Sequence, residues 1–386
     1  MFPPDLFEMF IDVGHYVTDI EAYKNMVHYI NTSSEELGNK ITCRVHNTNK
    51  QRAPLFHVGP YAFLEMLGAG AFGCVYKIKK TSEMRDEATL AMKVIPLQHP
   101  GFGANSRERT ERVGNILNES SIIKEQMRHP NIVRYYKAFK EDGKLYIVMQ
   151  HIDGAPLSEH FSSLCEKGLS FGEERIWKIF VQMVLALRYL HCDKGIVHRD
   201  LTPNNIMLGD GDKVTLTDFG LSKQKEGLMR SVVGTILYSC PELVKNEPYS
   251  NKADVWAIGC LLYQLCTLDH PFFSSGLSTL GLAKNIVEAI YEPLPEEDFS
   301  AKLISTVRQC LTPEVEDRPD IVGVGSSIAS IIMRHMDEVR AREITLEKKL
   351  HREKKRVQKH HLESNKLELR YVFLLLTFIF KNFRYV

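Results

Sequence analysis

A chain of 386 residues with 44% hydrophobic side chains has room for one large two-lobed domain or two ordinary ones, and enough apolar residues for a packed core, so its class is globular and soluble. Its 49 basic and 48 acidic residues leave a formal charge of +1, which gives no electrostatic reason to expect nucleic acid or an anionic membrane as main partner; any basic patch must be local. The eight cysteines include no C-x-x-C pair and fall mostly in apolar stretches, as reduced thiols of a cytosolic or nuclear protein do, and the start Met1-Phe2-Pro3-Pro4-Asp5 does not resemble a secretory signal.

Residues 1 to about 58 carry a short apolar, helix-like pattern (Leu6, Phe7, Phe10, Ile11, then Ile20, Tyr23, Met26, Val27, Ile30) closed by a polar linker over 47–52. Too small for its own core, this piece is expected to be a helical flap or the end of a larger helical region. From Tyr61 the texture changes to short β-rich runs over 61–67, 74–80, 89–95, 132–139 and 144–149, interrupted by one helical stretch at about 111–127. A small sheet lobe with one helix is expected. After Gly154 the pattern turns helical: over 173–191, Ile176, Ile179, Phe180, Met183, Val184, Leu187 and Leu190 follow a helical period, and this second lobe is expected to run to about His335. From Asp337 to Arg370 charge dominates, with Leu346, Leu350 and Val357 as a sparse apolar seam. A short coiled coil and a lone solvated helix both fit, and self-association or partner docking is expected at 337–370 if anywhere. The tail from Val372 to Phe380 is continuously apolar but far short of the roughly 20 residues that span a bilayer, so a membrane is not an expected partner. The domain expectation is therefore an extension and linker at 1–58, a catalytic domain at 59–335, a charged helix at 336–370 and an apolar tail at 371–386.

The stretch His198-Arg199-Asp200-Leu201-Thr202-Pro203-Asn204-Asn205, followed by Asp218-Phe219-Gly220, places two carboxylates and an amide where phosphoryl transfer from a magnesium nucleotide needs them. Such transfer asks mainly for positioning and charge neutralisation. Asp200 is the candidate base for the acceptor hydroxyl, and Asn205 and Asp218 are oxygen ligands for Mg2+. Each alone would more often be a turn or capping residue; their joint spacing carries the reading.

Upstream, Leu67 precedes the G-x-G-x-x-G-x-V loop Gly68-Ala69-Gly70-Ala71-Phe72-Gly73-Cys74-Val75. The glycines alone would also suit a dinucleotide-binding unit, but that loop would open a helix, whereas Cys74-Val75-Tyr76-Lys77-Ile78 is strand-like and predicts a flap whose backbone N–H groups approach ATP phosphates. Leu90-Ala91-Met92-Lys93 then supplies an ammonium at a strand position for the α and β phosphates. Glu119 is the best candidate to hold Lys93, with Glu125 next; a solvated helix charge is the bland reading of Glu119. Cys74 beside the flap is either a reactive thiol or an ordinary strand cysteine, and the second is favoured because no cationic neighbour is assured.

At this point the chain resembles the eukaryotic protein kinase family across about residues 61 to 335. His129-Pro130-Asn131-Ile132-Val133-Arg134-Tyr135-Tyr136 and Leu145-Tyr146-Ile147-Val148-Met149 are similar to the NIMA-related (Nek) group, and the catalytic loop with Val233-Gly234-Thr235-Ile236-Leu237-Tyr238-Ser239-Cys240-Pro241-Glu242 is similar to a divergent member of it that carries a large helical repeat region upstream. The resemblance implies an α+β, bilobal protein kinase fold with a β-rich N-lobe bearing one regulatory helix, a larger helical C-lobe, and helical flanking segments. It implies ATP and Mg2+ as cofactors and protein substrates as partners. Val75, Ala91 and Met207 would sandwich the adenine, with Met149 as gatekeeper before a hinge at Gln150-His151-Ile152. Phe219 and His198 would stack with Ile123, Glu242 would pair with Arg318, and Asp254 would brace the catalytic loop. Ser231, four residues before Thr235, matches the family's activation-loop phosphosite, with Arg199 as its docking cation, and the Thr235 hydroxyl is what the family's usual lysine at position 202 would reach.

Two departures stand out: Thr202 where most serine/threonine kinases have lysine, and Cys240 where they have alanine. The missing cation puts rate and acceptor choice in doubt, so some tyrosine transfer beside serine and threonine is expected. A nucleotide-binding pseudokinase scaffold and a small-molecule kinase are the competing readings; the intact Lys93, Asp200, Asn205 and Asp218 argue against the first, and the segment from Gly234 to Glu242 against the second. A cytoplasmic or nuclear location is expected from the cysteines, and a centrosomal or ciliary one from the resemblance to the group.

Overall fold

The computed structural model describes residues 54–70, 73–81, 89–97, 127–218 and 236–382. Two compact units divide the chain: the first comprises residues up to Gln126 together with Arg134–His151, the second Met127–Val133 and everything from Ile152 onward. A β-rich N-lobe and a helical C-lobe follow, the bilobal kinase pattern that the sequence leads one to expect.

The first unit is a six-stranded antiparallel sheet. Its strands are β1 (Phe56–Val58), β2 (Tyr61–Gly70), β3 (Gly73–Lys80), β4 (Leu90–Pro96), β5 (Tyr135–Glu141) and β6 (Lys144–Gln150), in the order β1-β2-β3-β4-β6-β5. Alternation along the strands sorts two faces. One face buries Phe63, Ile78, Met92, Tyr146 and Val148 in a shared core, joined by Tyr76, Leu90 and Val94. Strand β1 lies at the end of what the sequence presents as a helical extension. It forms because Phe56 pairs with Phe63 across the ladder and stacks on it, ring centroids 4.2 Å apart. The rest of the expected extension, and the expected helix at 111–126, lie outside the described residues.

The run 132–139, expected as one strand, is divided. Ile132 bridges to Leu216 in the second unit, and the strand begins only at Tyr135. The cause is polar: Asn131 donates its side-chain amide to the Val214 carbonyl (2.7 Å) and to Gln182 (2.9 Å), and Val133 N–H bonds Leu216 O (2.9 Å). These bonds commit the start of the run to the second unit before the strand can begin.

In the second unit, β7 (Gly154–Pro156) leads into α1 (Leu157–Lys167) and α2 (Glu173–Arg188), and β8 (Ile206–Gly209) and β9 (Lys213–Leu216) then complete a small sheet in the order β7-β8-β9. Then come α3 (Pro241–Val244), α4 (Lys252–Thr267), α5 (Thr279–Val287), α6 (Ala301–Cys310), α7 (Ile321–Ser327) and α8 (Ala329–Asn382). The α2 and α4 helices form the core, through the apolar face of α2 and the largely apolar α4: Ile176, Phe180, Val184, Leu187, Val255, Ile258 and Leu262 are wholly buried. Close packing between α4 and α6 requires Gly259, since a Cβ there would meet the Cys310 side chain at 2.7 Å and Leu311 at 2.9 Å. The expected charged helix and apolar tail are one continuous helix with the end of the domain, α8, through Asn382. Among the described residues no helix is long and apolar enough to cross a membrane.

Candidate functional site

The site residues fall into two sets, one on each unit. On the sheet of the first unit, Leu67, Gly68, Ala69 and Gly70 end β2, Cys74 and Val75 begin β3, Ala91 and Lys93 lie on β4 and Met149 on β6. Strand register brings them together: Val75 is opposite Lys93, and Ala91 is opposite Met149. Val75, Ala91, Lys93 and Met149 therefore share the face turned away from the Phe63–Met92 core. Gly70 pairs with Gly73 at the hairpin end. Gly73 has φ +147°, and a Cβ there would lie 2.0 Å from the Val94 carbonyl oxygen, so only glycine closes the flap this tightly. Ala71 and Phe72, at its tip, lie outside the described residues, as does Glu119.

The second set is assembled by the β8–β9 hairpin. Ile206 pairs with Leu216, which leaves Asn205, just before β8, beside Thr217, just after β9; Thr217 N–H bonds Asn205 O at 2.9 Å. Asp218 follows with φ 59°, an uncommon backbone region for a residue other than glycine that asparagine and aspartate tolerate best. Pro203–Asn205 form a 3-10 turn that folds the chain back, so that Asn205 Nδ2 donates to both the Asp200 carbonyl (2.8 Å) and the Asp200 carboxylate (2.9 Å). With its Nδ2 so occupied, the amide of Asn205 keeps Oδ1, an acceptor, for other partners. Met207 stands half-buried on β8, next along the same strand.

Asp254, on α4 and 1% exposed, fixes the loop from below. One oxygen accepts from His198 N–H (2.7 Å) and from His191 Nε2 (2.8 Å), the other from Arg199 N–H (2.8 Å). These bonds hold Arg199 at φ 68°, which turns the chain sharply just before Asp200. His198 is wholly buried and its Nε2 donates to the Thr217 carbonyl at 3.0 Å, which ties the catalytic loop to the end of β9. Burial holds its imidazole below the usual histidine range, so it serves as a neutral donor. Thr202, with Asp200, Tyr238, Cys240 and Tyr249, lines a small cavity beside the loop. Arg199 lies over the Tyr249 ring, 5.4 Å from its centroid. Ser231 and Thr235 lie outside the described residues, as does Phe219.

A sequence model of the protein kinase domain matches residues 61–329. The chain belongs to the protein kinase family. It is 56% identical over 368 residues to human serine/threonine-protein kinase Nek10, covering 95% of this chain and 31% of that protein. The mouse protein of the same name is 55% identical over 368 residues (95% and 33%), and the Caenorhabditis elegans serine/threonine-protein kinase D1044.8 is 43% identical over 344 residues (87% and 34%). The kinase domain is thus homologous to those of Nek kinases, and the chain spans about a third of the length of these relatives.

In this kinase domain the buried polar groups carry the loop. Arg318 meets Glu242 with both terminal nitrogens (2.9 and 3.0 Å), and its other donors reach the carbonyls of Thr312, Lys252 and Pro313. Its guanidinium also lies over Trp256 at 5.0 Å. Burial alone would raise the Glu242 carboxyl, yet the Arg318 hydrogen bonds hold it below the usual range. Burial, with Glu242 nearby, pushes the Cys240 thiol up to about 12, so Cys240 is an inert wall of the cavity. His191 and Gln182 escape the sequence reading. His191 shares Asp254 from 63 residues away, and Gln182 Oε1 accepts from Asn131 Nδ2 (2.9 Å) and Val214 N–H (3.1 Å). The one available signal was a polar residue interrupting the apolar face of α2.

Proposed function

We propose that this domain transfers the γ-phosphoryl group of ATP to serine or threonine of protein substrates, with some transfer to tyrosine. The observation that carries the reading is the Asp254-braced loop, which sets Asp200 beside Asn205 with Asp218 at the end of the adjoining hairpin. Such an arrangement fits a magnesium nucleotide on two counts. Its donors are an amide oxygen and carboxylates, hard ligands suited to Mg2+. Among the described residues no three His, Cys, Asp or Glu side chains cluster to hold a metal unaided, in keeping with an ion that shares its coordination with phosphate oxygens. The nucleotide would supply the phosphoryl group, and the Mg2+ bound with it would neutralise the developing negative charge.

The chain's own residues do the rest. Asp200 would orient the acceptor hydroxyl and take its proton on the carboxylate, while the Asn205 amide limits the rotation of that carboxylate. Asn205 and Asp218 would hold the cation. Lys93 would answer the α and β phosphates, and the flap closed by Gly73 would present backbone N–H groups to them. Val75, Ala91 and Met207 would sandwich the adenine, with Met149 as gatekeeper. Glu119 as the partner of Lys93, and Ser231 as the phosphosite answered by Arg199 near Thr235, complete the scheme.

Tyrosine transfer is supported by the position of Thr202, which lines the cavity beside Asp200 and brings no cation to it. The short, uncharged side chain would leave room for a longer acceptor. Phosphorylation of an oriented peptide library, scored separately for Ser, Thr and Tyr, tests this reading. Wild type should modify serine and threonine with detectable tyrosine, and Thr202→Lys should raise the ratio of serine/threonine to tyrosine transfer. Absence of phosphotyrosine would leave a serine/threonine kinase alone.

A further inference from the structure

The α8 helix continues far beyond the domain it caps. Its first turns are half-buried at Ile331, Ile332 and His335, but over 340–359 every side chain is exposed. Helices in proteins draw most of their stability from an apolar face packed on something else, and a long solvated one is marginal by itself. Within the exposed stretch the described ion pairs are long, Arg356 to Glu353 at 3.8 Å and Lys359 to Glu363 at 3.9 Å, and on a solvated surface these contribute little.

The apolar residues on this stretch are ordered. Met336, Val339, Leu346, Leu350 and Val357 are 49–65% exposed and occupy five of the seven a and d positions of one heptad frame from 336 to 357, a seam about 32 Å long at 1.5 Å per residue. Two positions of the frame are carboxylates: Glu343 at a and Glu353 at d. The flanking e and g positions are basic, Arg340, Arg342, Lys349, Lys354 and Arg356, with Glu347 the exception.

This charge pattern argues against pairing with a second copy. A parallel pair in register would stack Glu343 on Glu343 and Glu353 on Glu353, and would face Lys349 with Lys354; only Arg342 to Glu347 would attract. An antiparallel pair that sets Leu346 against Leu350 would put Glu343 against Glu353, Lys349 against Lys349 and Arg342 against Arg356. A lipid surface fits no better, because both glutamates lie within the apolar seam and would be driven into the bilayer with it. We infer that α8 from Met336 to Val357 is the docking strip for an acidic amphipathic helix of another protein. That helix would carry apolar residues along the seam, Glu or Asp at its flanks, and Lys, Arg or an amide opposite Glu343 and Glu353. The two seam carboxylates, ten residues apart, would set the register of the pair. The inference stands independently of the catalytic reading.

The full chain is titrated against two synthetic coiled-coil peptides, each about four heptads long with leucine at a and d, one with glutamate and the other with lysine at e and g. Fluorescence anisotropy should show saturable binding of the acidic peptide, weakening with added salt, and none of the basic one. The chain with Leu346→Glu and Leu350→Glu should lose affinity by about tenfold or more at an unchanged melting temperature. Lys349→Glu with Lys354→Glu should shift preference toward the basic peptide. Four results would overturn the inference: neither peptide binds; both bind alike; the chain alone sediments as a dimer that Leu346→Glu and Leu350→Glu dissolve; or phosphatidylserine vesicles capture the chain and this double variant loses the capture.

Discussion

The site residues of the two units are held by different forces. In the first unit Val75, Ala91, Lys93 and Met149 share a face because strands alternate and their registers match. The ladder aligns them, and the sheet core behind them is apolar. In the second unit Asp200, Asn205 and Asp218 are held by buried polar groups that reach across the fold: Asp254 to three donors, His198 to Thr217, Arg318 to Glu242 and three carbonyls. Apolar alternation tolerates change in small steps. Buried polar networks fail abruptly, because losing one member leaves the others unpaired.

Breaking the second mode should have the largest effect. Arg318→Ala leaves the Glu242 carboxylate buried without its partner, and the domain should lose about 3 to 5 kcal/mol, read from urea unfolding. Replacing both residues, Glu242→Leu with Arg318→Met, should recover part of that loss, since a buried pair exchanged for apolar groups is often neutral. A double variant as unstable as the single one would show that the carbonyl contacts of Arg318, not the pair, hold the loop end.

A gentler way to stress the same unit is acid. Burial lowers His270 to about 4, against about 6.5 for a free histidine. The unfolded chain thus binds more protons than the folded one in this window, and the neutral ring's contribution is complete above pH 6.5 and lost as pH falls toward 4. The loss amounts to about 3 kcal/mol from this group, with His198 adding in the same direction. Thermal unfolding followed from pH 7 to pH 4.5 should show it, and His270→Asn should flatten the slope.

The first unit should answer more softly. Gly73→Ala forces a Cβ toward the Val94 carbonyl at a φ that other residues rarely adopt, so the hairpin must open. A cost of about 1 to 3 kcal/mol is expected, together with weaker nucleotide binding, while the catalytic loop of the second unit keeps its protection in hydrogen exchange. Loss of protection at His198 and Arg199 in this variant would show that the two modes are not separable.

The contrast also decides what was legible in the sequence. Strands β2, β3, β4 and β6 declare themselves by local alternation, and the 198–205 loop by a dense local motif; Lys93 lies on a strand, and Asn205 and Asp218 flank the two ends of the β8–β9 hairpin. Structure fixed by distant partners does not declare itself. Strand β1 depends on Phe56 meeting Phe63, the division of the 132–139 run depends on Asn131 reaching Val214, and His191 acquires meaning only beside Asp254. The small β7–β9 sheet inside a helical lobe was hidden too, its strands being three or four residues long and too short to show a period.

The most direct test of the account pairs magnesium-ATP affinity with peptide phosphorylation in the wild-type chain and in Asp200→Asn. The account predicts that wild type transfers phosphate, and that the variant binds nucleotide about as well but turns over slower by about 10² to 10⁴-fold, the contribution of a positioned general base. A wild-type chain that binds nucleotide without transferring phosphate, or a variant that transfers at the wild-type rate, would contradict it.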